Sequence, residues 1–240
     1  MQRPVAMLPA DRPRGCLFDL DGLLLDTEPL HAQAWREAAA AFGRPLSEAE
    51  LLELRGRRRQ DNGEQVRRWI AAAGHAPPSC EELLAVQQPI ARRLLPDAQP
   101  MPGAQELLAR CSALHIPTAL VTSSSRASLA IKTAGHPWLA AMAPVILGDD
   151  PELEAGKPAP DPFLLAARRL GVEARECWAF EDSPAGAQSA AAAGCRVHVL
   201  LPADVPSERA KDLYDATWVF LRSLEAVVLE EDDDPGRPNA

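Results

Sequence analysis

The sequence predicts an α/β fold: a mostly parallel sheet flanked by helices, with an all-helical insert after the first strand. Three observations lead there. From about residue 97 onward, short apolar runs alternate with helical patterns. The apolar run "GCLFDL" (15–20) stands apart from these, and the stretch between Pro29 and Pro96 holds only helical signals. Strands alternating with helices are the mark of βαβ units, whose strands pair in parallel.

The elements follow in chain order. The first strand is 15–20, and the insert helices are 29–42, 47–54, 61–73 and 79–95. Proline-marked segments, "DTEP" (26–29) and "LPDAQPMPG" (95–103), bound the insert. Next come helix 103–114, opened by "PG", strand 117–122, helix 124–134 and strand 143–147. Helix 161–170, strand 176–180, helix 184–193 with Gly194 at its end, and strand 196–200 complete the pattern. The alanine runs at 38–41 and 190–193 are helix formers. The expected division is a core of 1–28 and 97–229, a helical insert of 29–96, and an acidic, disordered tail of 230–240.

The chain has 240 residues, 47% hydrophobic and 25% charged, an ordinary globular composition. Its net charge of -9 argues against nucleic-acid or anionic-membrane partners. The basic cluster "RGRRR" (55–59) reads as a solvated helix edge. Five scattered cysteines without a CxxC fit reduced core thiols, not a disulfide framework or zinc site. The start, "MQRPVAMLPADRPRG", lacks the apolar stretch of a signal peptide, and no run approaches the ~18 apolar residues of a membrane span. A soluble, cytoplasmic monomer is expected.

Asp19 and Asp21 end the first apolar run. Residues i and i+2 of a strand share a face, so both carboxylates start on one side, and Gly22 lets the backbone turn away. Aspartate is equally common at helix caps and turns, so the pair alone does not decide. Three further segments add weight. "VTSSSR" (121–126) ends a strand with Thr122, followed by Ser123 and Ser124 amides suited to an anion. "GKPAPDPF" (156–163) sets Lys157 before a helix, and "FEDSPAG" (180–186) sets Glu181 and Asp182 at another strand end. Carboxylate oxygens suit Mg²⁺, and an ionised carboxylate can attack phosphorus if cations and N–H groups offset the charge.

"DLDGLLLDTEP", "TSSS", "GKPAPD" and "EDSPAG" resemble, in order, the four motifs of the haloacid dehalogenase superfamily. The resemblance is to its sugar phosphatase and β-phosphoglucomutase-like branch, and it runs from about 15 to 200. It implies a Rossmann-like core with a helical cap. It implies that Asp19 is the nucleophile and Asp21 the general acid/base. Asp19, the Asp21 carbonyl and Asp182 would hold Mg²⁺, with Glu181 assisting. Thr122, Lys157 and the Ser123 amide would bind the phosphoryl group. Haloacid dehalogenases lack the second aspartate and the metal, so Asp21 and the Glu181–Asp182 pair argue against carbon–halogen cleavage.

The cap selects the substrate. Thr27, Glu28 and His31 follow the hinge and are candidates to face the cleft. In "LRGRRRQD" (54–61), Gly56 and Arg59 match the family's cap loop, where the arginine holds a distal phosphate or polar group. Arg57 and Arg58 are expected to face water. A mutase of this branch also uses a cap lysine, and "LLAVQQPIARR" (83–93) has none. The expected function is a Mg²⁺-dependent phosphatase of small phosphorylated metabolites, sugar phosphates first. The alternatives are a β-phosphoglucomutase-like mutase and an inactive metal-binding regulator. The last would be expected to lose Asp19, Asp21 or Lys157, and all three are present.

Overall fold

The computed structural model describes residues 12–55, 57, 59–202, 210 and 212–229; the expected tail at 230–240, Gly56 and the Arg58 expected to face water lie outside the described residues. Among the described residues, six strands form one sheet in the order β3-β2-β1-β4-β5-β6. They are β1 (Gly15–Phe18), β2 (Thr118–Val121), β3 (Val145–Ile146), β4 (Cys177–Glu181), β5 (Arg196–Leu200) and β6 (Val219–Leu221). Every neighbouring pair is parallel.

The near-continuous apolar character of these strands follows from burial on both faces. In β1, Cys16 and Phe18 pack into one hydrophobic cluster and Leu17 into the other. Phe18 stacks on Phe180 at 4.7 Å between ring centroids, and Phe180 on His198 at 4.8 Å, so one face is laced across β1, β4 and β5.

Between β1 and β2 lie α1 (Glu28–Ala41), α2 (Glu48–Glu53), α3 (Arg59–Ala72), α4 (Cys80–Leu94) and α5 (Ala104–Ala113). Trp35, Leu51, Val66, Ile70 and Leu83 give α1–α4 a core of their own, apart from the two sheet clusters. This is the helical cap. Capping boxes open two of its helices, Ser47 with Glu50 on α2 and Ser79 with Glu82 on α4. The sheet is completed through α6 (Arg126–Thr133), α7 (Asp161–Leu170) and α8 (Pro184–Ala192).

Two details differ from the sequence reading. Helix α6 starts at Arg126 because Ser125 is its N-cap, accepting from the Ser128 amide, and this leaves Thr122–Ser124 as a turn. Strand β6 was not anticipated; it is three residues long and half-exposed, too short to show a period. Cys16, Cys111, Cys177 and Cys195 are buried, Cys80 is half-buried, and all five are free. No described helix is long and apolar enough to cross a membrane.

Candidate active site

The candidate residues gather at the carboxyl ends of β1, β2 and β4, where parallel sheets present ligand sites. Asp19 follows β1 and is anchored by its amide donating to the Phe180 carbonyl at 3.1 Å. Gly22 takes φ +78°, and a Cβ there would strike the Asp182 carboxylate. Only glycine lets this turn pass so close to Asp182.

Lys157 is buried between the strand ends. Its Nζ donates to Asp19 Oδ1 and Glu181 Oε1, both at 2.5 Å, and to the Val121 carbonyl at 2.9 Å. Burial opposes the ammonium charge, but Asp19 and Glu181 outweigh it and raise the Lys157 pKa. Glu181 is held at its other oxygen by Ser183 Oγ, 3.1 Å away. Tyr214 Oη donates to the Asp182 carbonyl at 2.6 Å, fixing the backbone beside the second acid.

Asp19, Glu181 and Asp182 each offer an oxygen within 4.8 Å of the others, and all three are buried. Burial, with Glu181 and Asp21 nearby, pushes the Asp19 carboxyl up to about 7 against the pull of Lys157. Burial and the neighbouring Glu28 and Asp19 push Asp182 up as well. One lysine thus sits among three clustered carboxylates. The hard oxygens and the deficit of positive charge fit a divalent cation such as Mg²⁺.

Asp21 sits in a different environment. Its Oδ1 accepts from Thr27 Oγ1 at 2.6 Å, and His31 Nε2 lies 3.4 Å away. Lys132 Nζ donates to both carboxylate oxygens, at 2.6 and 2.7 Å, and to Ser124 Oγ at 2.8 Å. Ser124 in turn donates to Asp21 Oδ2 at 3.2 Å. Burial works to raise the Asp21 carboxyl, but the Lys132 charge and His31 hold it well below the usual carboxylate range. Sequence reasoning missed Lys132. The available signal was helical spacing: Lys132 lies four residues after Ser128 on the buried stripe of α6.

A cavity of about 490 Å³ opens over Asp19 and Asp21, with Ser123 and Ser124 on the core side. Glu28, His31 and Arg59 line it from the cap, while Thr27 is fully buried at the hinge. Thr122 is buried at the end of β2, its Oγ1 accepting from the Ser124 amide at 3.1 Å. Glu28 pairs with Arg55 at 3.3 Å. Arg59 Nη2 reaches across to Ser128 Oγ at 3.5 Å. Arg57, expected in water, is half-buried and lines the cavity. Asn62 and Gln87 also line it, and their side-chain oxygens are buried without a hydrogen-bond partner among the described residues.

These features describe a capped α/β core with an acid–lysine centre at its strand ends. A model of the haloacid dehalogenase-like hydrolases matches residues 13–194, and the chain belongs to that family. The Drosophila melanogaster protein named "Probable pseudouridine-5'-phosphatase" is 37% identical over 191 residues, covering 78% of this chain and 80% of that protein. Hexitol phosphatase A of Escherichia coli is 34% identical over 220 residues, covering 91% and 94%. Among solved structures, a family IA, variant 3 HAD hydrolase of Entamoeba histolytica has a TM-score of 0.75 at 26% identity, covering 90% of this chain and 96% of that one.

Proposed function

We propose that this protein is a Mg²⁺-dependent phosphatase of small hydroxyl-bearing phosphate esters, sugar or polyol phosphates, acting through an aspartyl-phosphate. One observation carries the reading: Asp19, bonded to buried Lys157, and Asp21 two residues on line the same cavity. Relatives that bear phosphatase names support it.

Asp19, Asp182 and Glu181, with the Asp21 carbonyl, are the residues that would hold Mg²⁺, which when bound offsets the charge of the incoming phosphate. Asp19 forms a bond to phosphorus while the ester bond breaks, and the departing oxygen keeps that electron pair and takes a proton from Asp21, which leaves its pair with Lys132 and picks that proton up from solvent beforehand. Lys157, Thr122 and the Ser123 amide hold the phosphoryl oxygens. Asp21 then takes a proton from water as that water attacks phosphorus, returning the Asp19 carboxylate and free phosphate.

The cap side supports the substrate class. A cavity of about 490 Å³ suits a small metabolite. The stretch 83–93 carries Gln87 and Gln88 and no lysine, whereas a mutase of this branch uses a cap lysine for a second phosphate.

The test is phosphate release from a panel with Mg²⁺: glucose 1-phosphate, glucose 6-phosphate, sorbitol 6-phosphate, pseudouridine 5′-phosphate and p-nitrophenyl phosphate. At least one sugar or polyol ester should yield free alcohol and phosphate, and Asp19→Asn should abolish this in a folded protein. Conversion of glucose 1-phosphate to glucose 6-phosphate, seen by phosphorus NMR with little phosphate released, would make the protein a mutase. No turnover of any ester would remove the enzymatic reading.

A further inference from the structure

Asp182 is the least tethered carboxylate of the Asp19–Glu181–Asp182 cluster. Asp19 accepts from Lys157, and Glu181 accepts from both Lys157 and Ser183. Among the described residues no group donates a hydrogen bond to the Asp182 carboxylate, while Glu28, Asp19 and Glu181 crowd it with like charge. Like charges repel strongly where water is excluded, so the place of this side chain has to be set by the backbone that carries it.

That backbone is held from a distance. Asp182 lies one residue past β4, outside the strand pairing. Tyr214 Oη donates to its carbonyl at 2.6 Å from 32 positions away in sequence. Tyr214 is 4% exposed, and it is the one tyrosine among the 240 residues. Its ring sits edge-on to Trp218 and Phe220, with centroids 6.4 and 6.2 Å away. A phenylalanine would fill that seat as well, so what the tyrosine adds is the bond from its hydroxyl to Asp182. On the opposite side, the turn at Gly22 packs directly against the Asp182 carboxylate.

We infer that Tyr214 is a positioning residue for divalent-cation binding, its hydroxyl pinning the Asp182 peptide so that the carboxylate stays within reach of Asp19 and Glu181. The inference rests on the Mg²⁺ reading above. Tyr214 need touch neither the ion nor the substrate. With the peptide pinned, the third carboxylate is already in the cluster when a cation arrives. Without the pin, repulsion from its neighbours moves it outward, and binding has to draw it back.

Metal affinity separates this role from plain packing. The measurement is Mg²⁺ binding by titration calorimetry to the EDTA-stripped full chain, wild type against Tyr214→Phe, with the urea stability of both metal-free proteins alongside. The variant keeps the ring and loses the hydroxyl, and its Kd for Mg²⁺ should rise about 10-fold, the low end of what partners behind a metal ligand contribute. A second measurement serves if the variant does not fold. Because the chain has one tyrosine, wild type labelled with ¹³C at the hydroxyl-bearing ring carbon gives one tyrosine resonance. That resonance should move as Mg²⁺ is added and stop at saturation. A folded Tyr214→Phe with a Kd within about 2-fold of wild type, whatever its stability, would make Tyr214 a packing residue and overturn the inference. Where the variant does not fold, a tyrosine resonance unmoved at saturating Mg²⁺ would overturn it. A wild type that binds Mg²⁺ yet cleaves no ester would overturn the phosphatase reading alone, and one that binds no Mg²⁺ would overturn both.

Discussion

Lys157 Nζ lies 2.5 Å from Asp19 Oδ1, and their side chains are 2% and 6% exposed. The same nitrogen bonds to fully buried Glu181. Two buried carboxylates therefore share one cation, and the site's order depends on it.

Lys157→Met should leave both carboxylates uncompensated. Breaking a buried pair from one side costs about 3–5 kcal/mol, so a loss of that size is expected in urea denaturation at pH 7.5, together with loss of turnover. A variant within about 1 kcal/mol of wild type would show that the Lys157 pairs contribute little net stability.

Chelation should abolish turnover. The Asp19–Glu181–Asp182 cluster has more negative charge than Lys157 offsets. EDTA-treated protein is expected to be inactive and to recover with Mg²⁺. Ca²⁺ should bind yet inhibit, since it prefers more ligands at longer distances. Full activity in EDTA, with metal content measured as nil, would exclude a metal role.

Gln87→Met tests the cap wall. Gln87 lines the cavity, and its Oε1 is buried without a partner among the described residues. The variant should raise KM about 3- to 10-fold for a polyol phosphate and leave p-nitrophenyl phosphate unchanged, the size of one hydrogen bond. A matching rise for both esters would place Gln87 in cap packing alone.

His198 should impose an acid limit on stability. It is 4% exposed and its Nδ1 has no partner among the described residues. Burial, helped by Arg196, lowers its pKa to about 4 from an ordinary 6.5. Between those values the unfolded chain binds a proton that the folded chain does not. The contribution is complete above pH 6.5 and is lost as pH falls toward 4. By pH 4.5 the cost is about 2–3 kcal/mol, and His198→Phe should remove that part of the pH dependence. Parallel stability curves for variant and wild type between pH 7.5 and 4.5 would show that His198 does not titrate in this window.

The element pattern was legible because it is local. Apolar runs of strand length, helical spacing and Gly/Pro punctuation depend only on neighbouring residues, and they located five of the six described strands and the helices α1–α8 to within about two residues. The core site was legible for the same reason. Asp19, Asp21, Thr122, Lys157, Glu181 and Asp182 lie in short segments at strand ends, and a parallel sheet brings such ends together.

What tertiary structure alone decided lies in the partners. Lys132 reads in sequence as one more lysine on a helix, yet packing of α6 turns it inward onto Asp21. The sharing of Lys157 by Asp19 and Glu181, the unpaired oxygens of Asn62 and Gln87, and the docking of β6 beside β5 have the same origin. Each depends on how distant segments meet. Local sequence carries the period of an element and the chemistry of a side chain, while the charge or hydrogen bond waiting opposite it is set by packing across the whole chain.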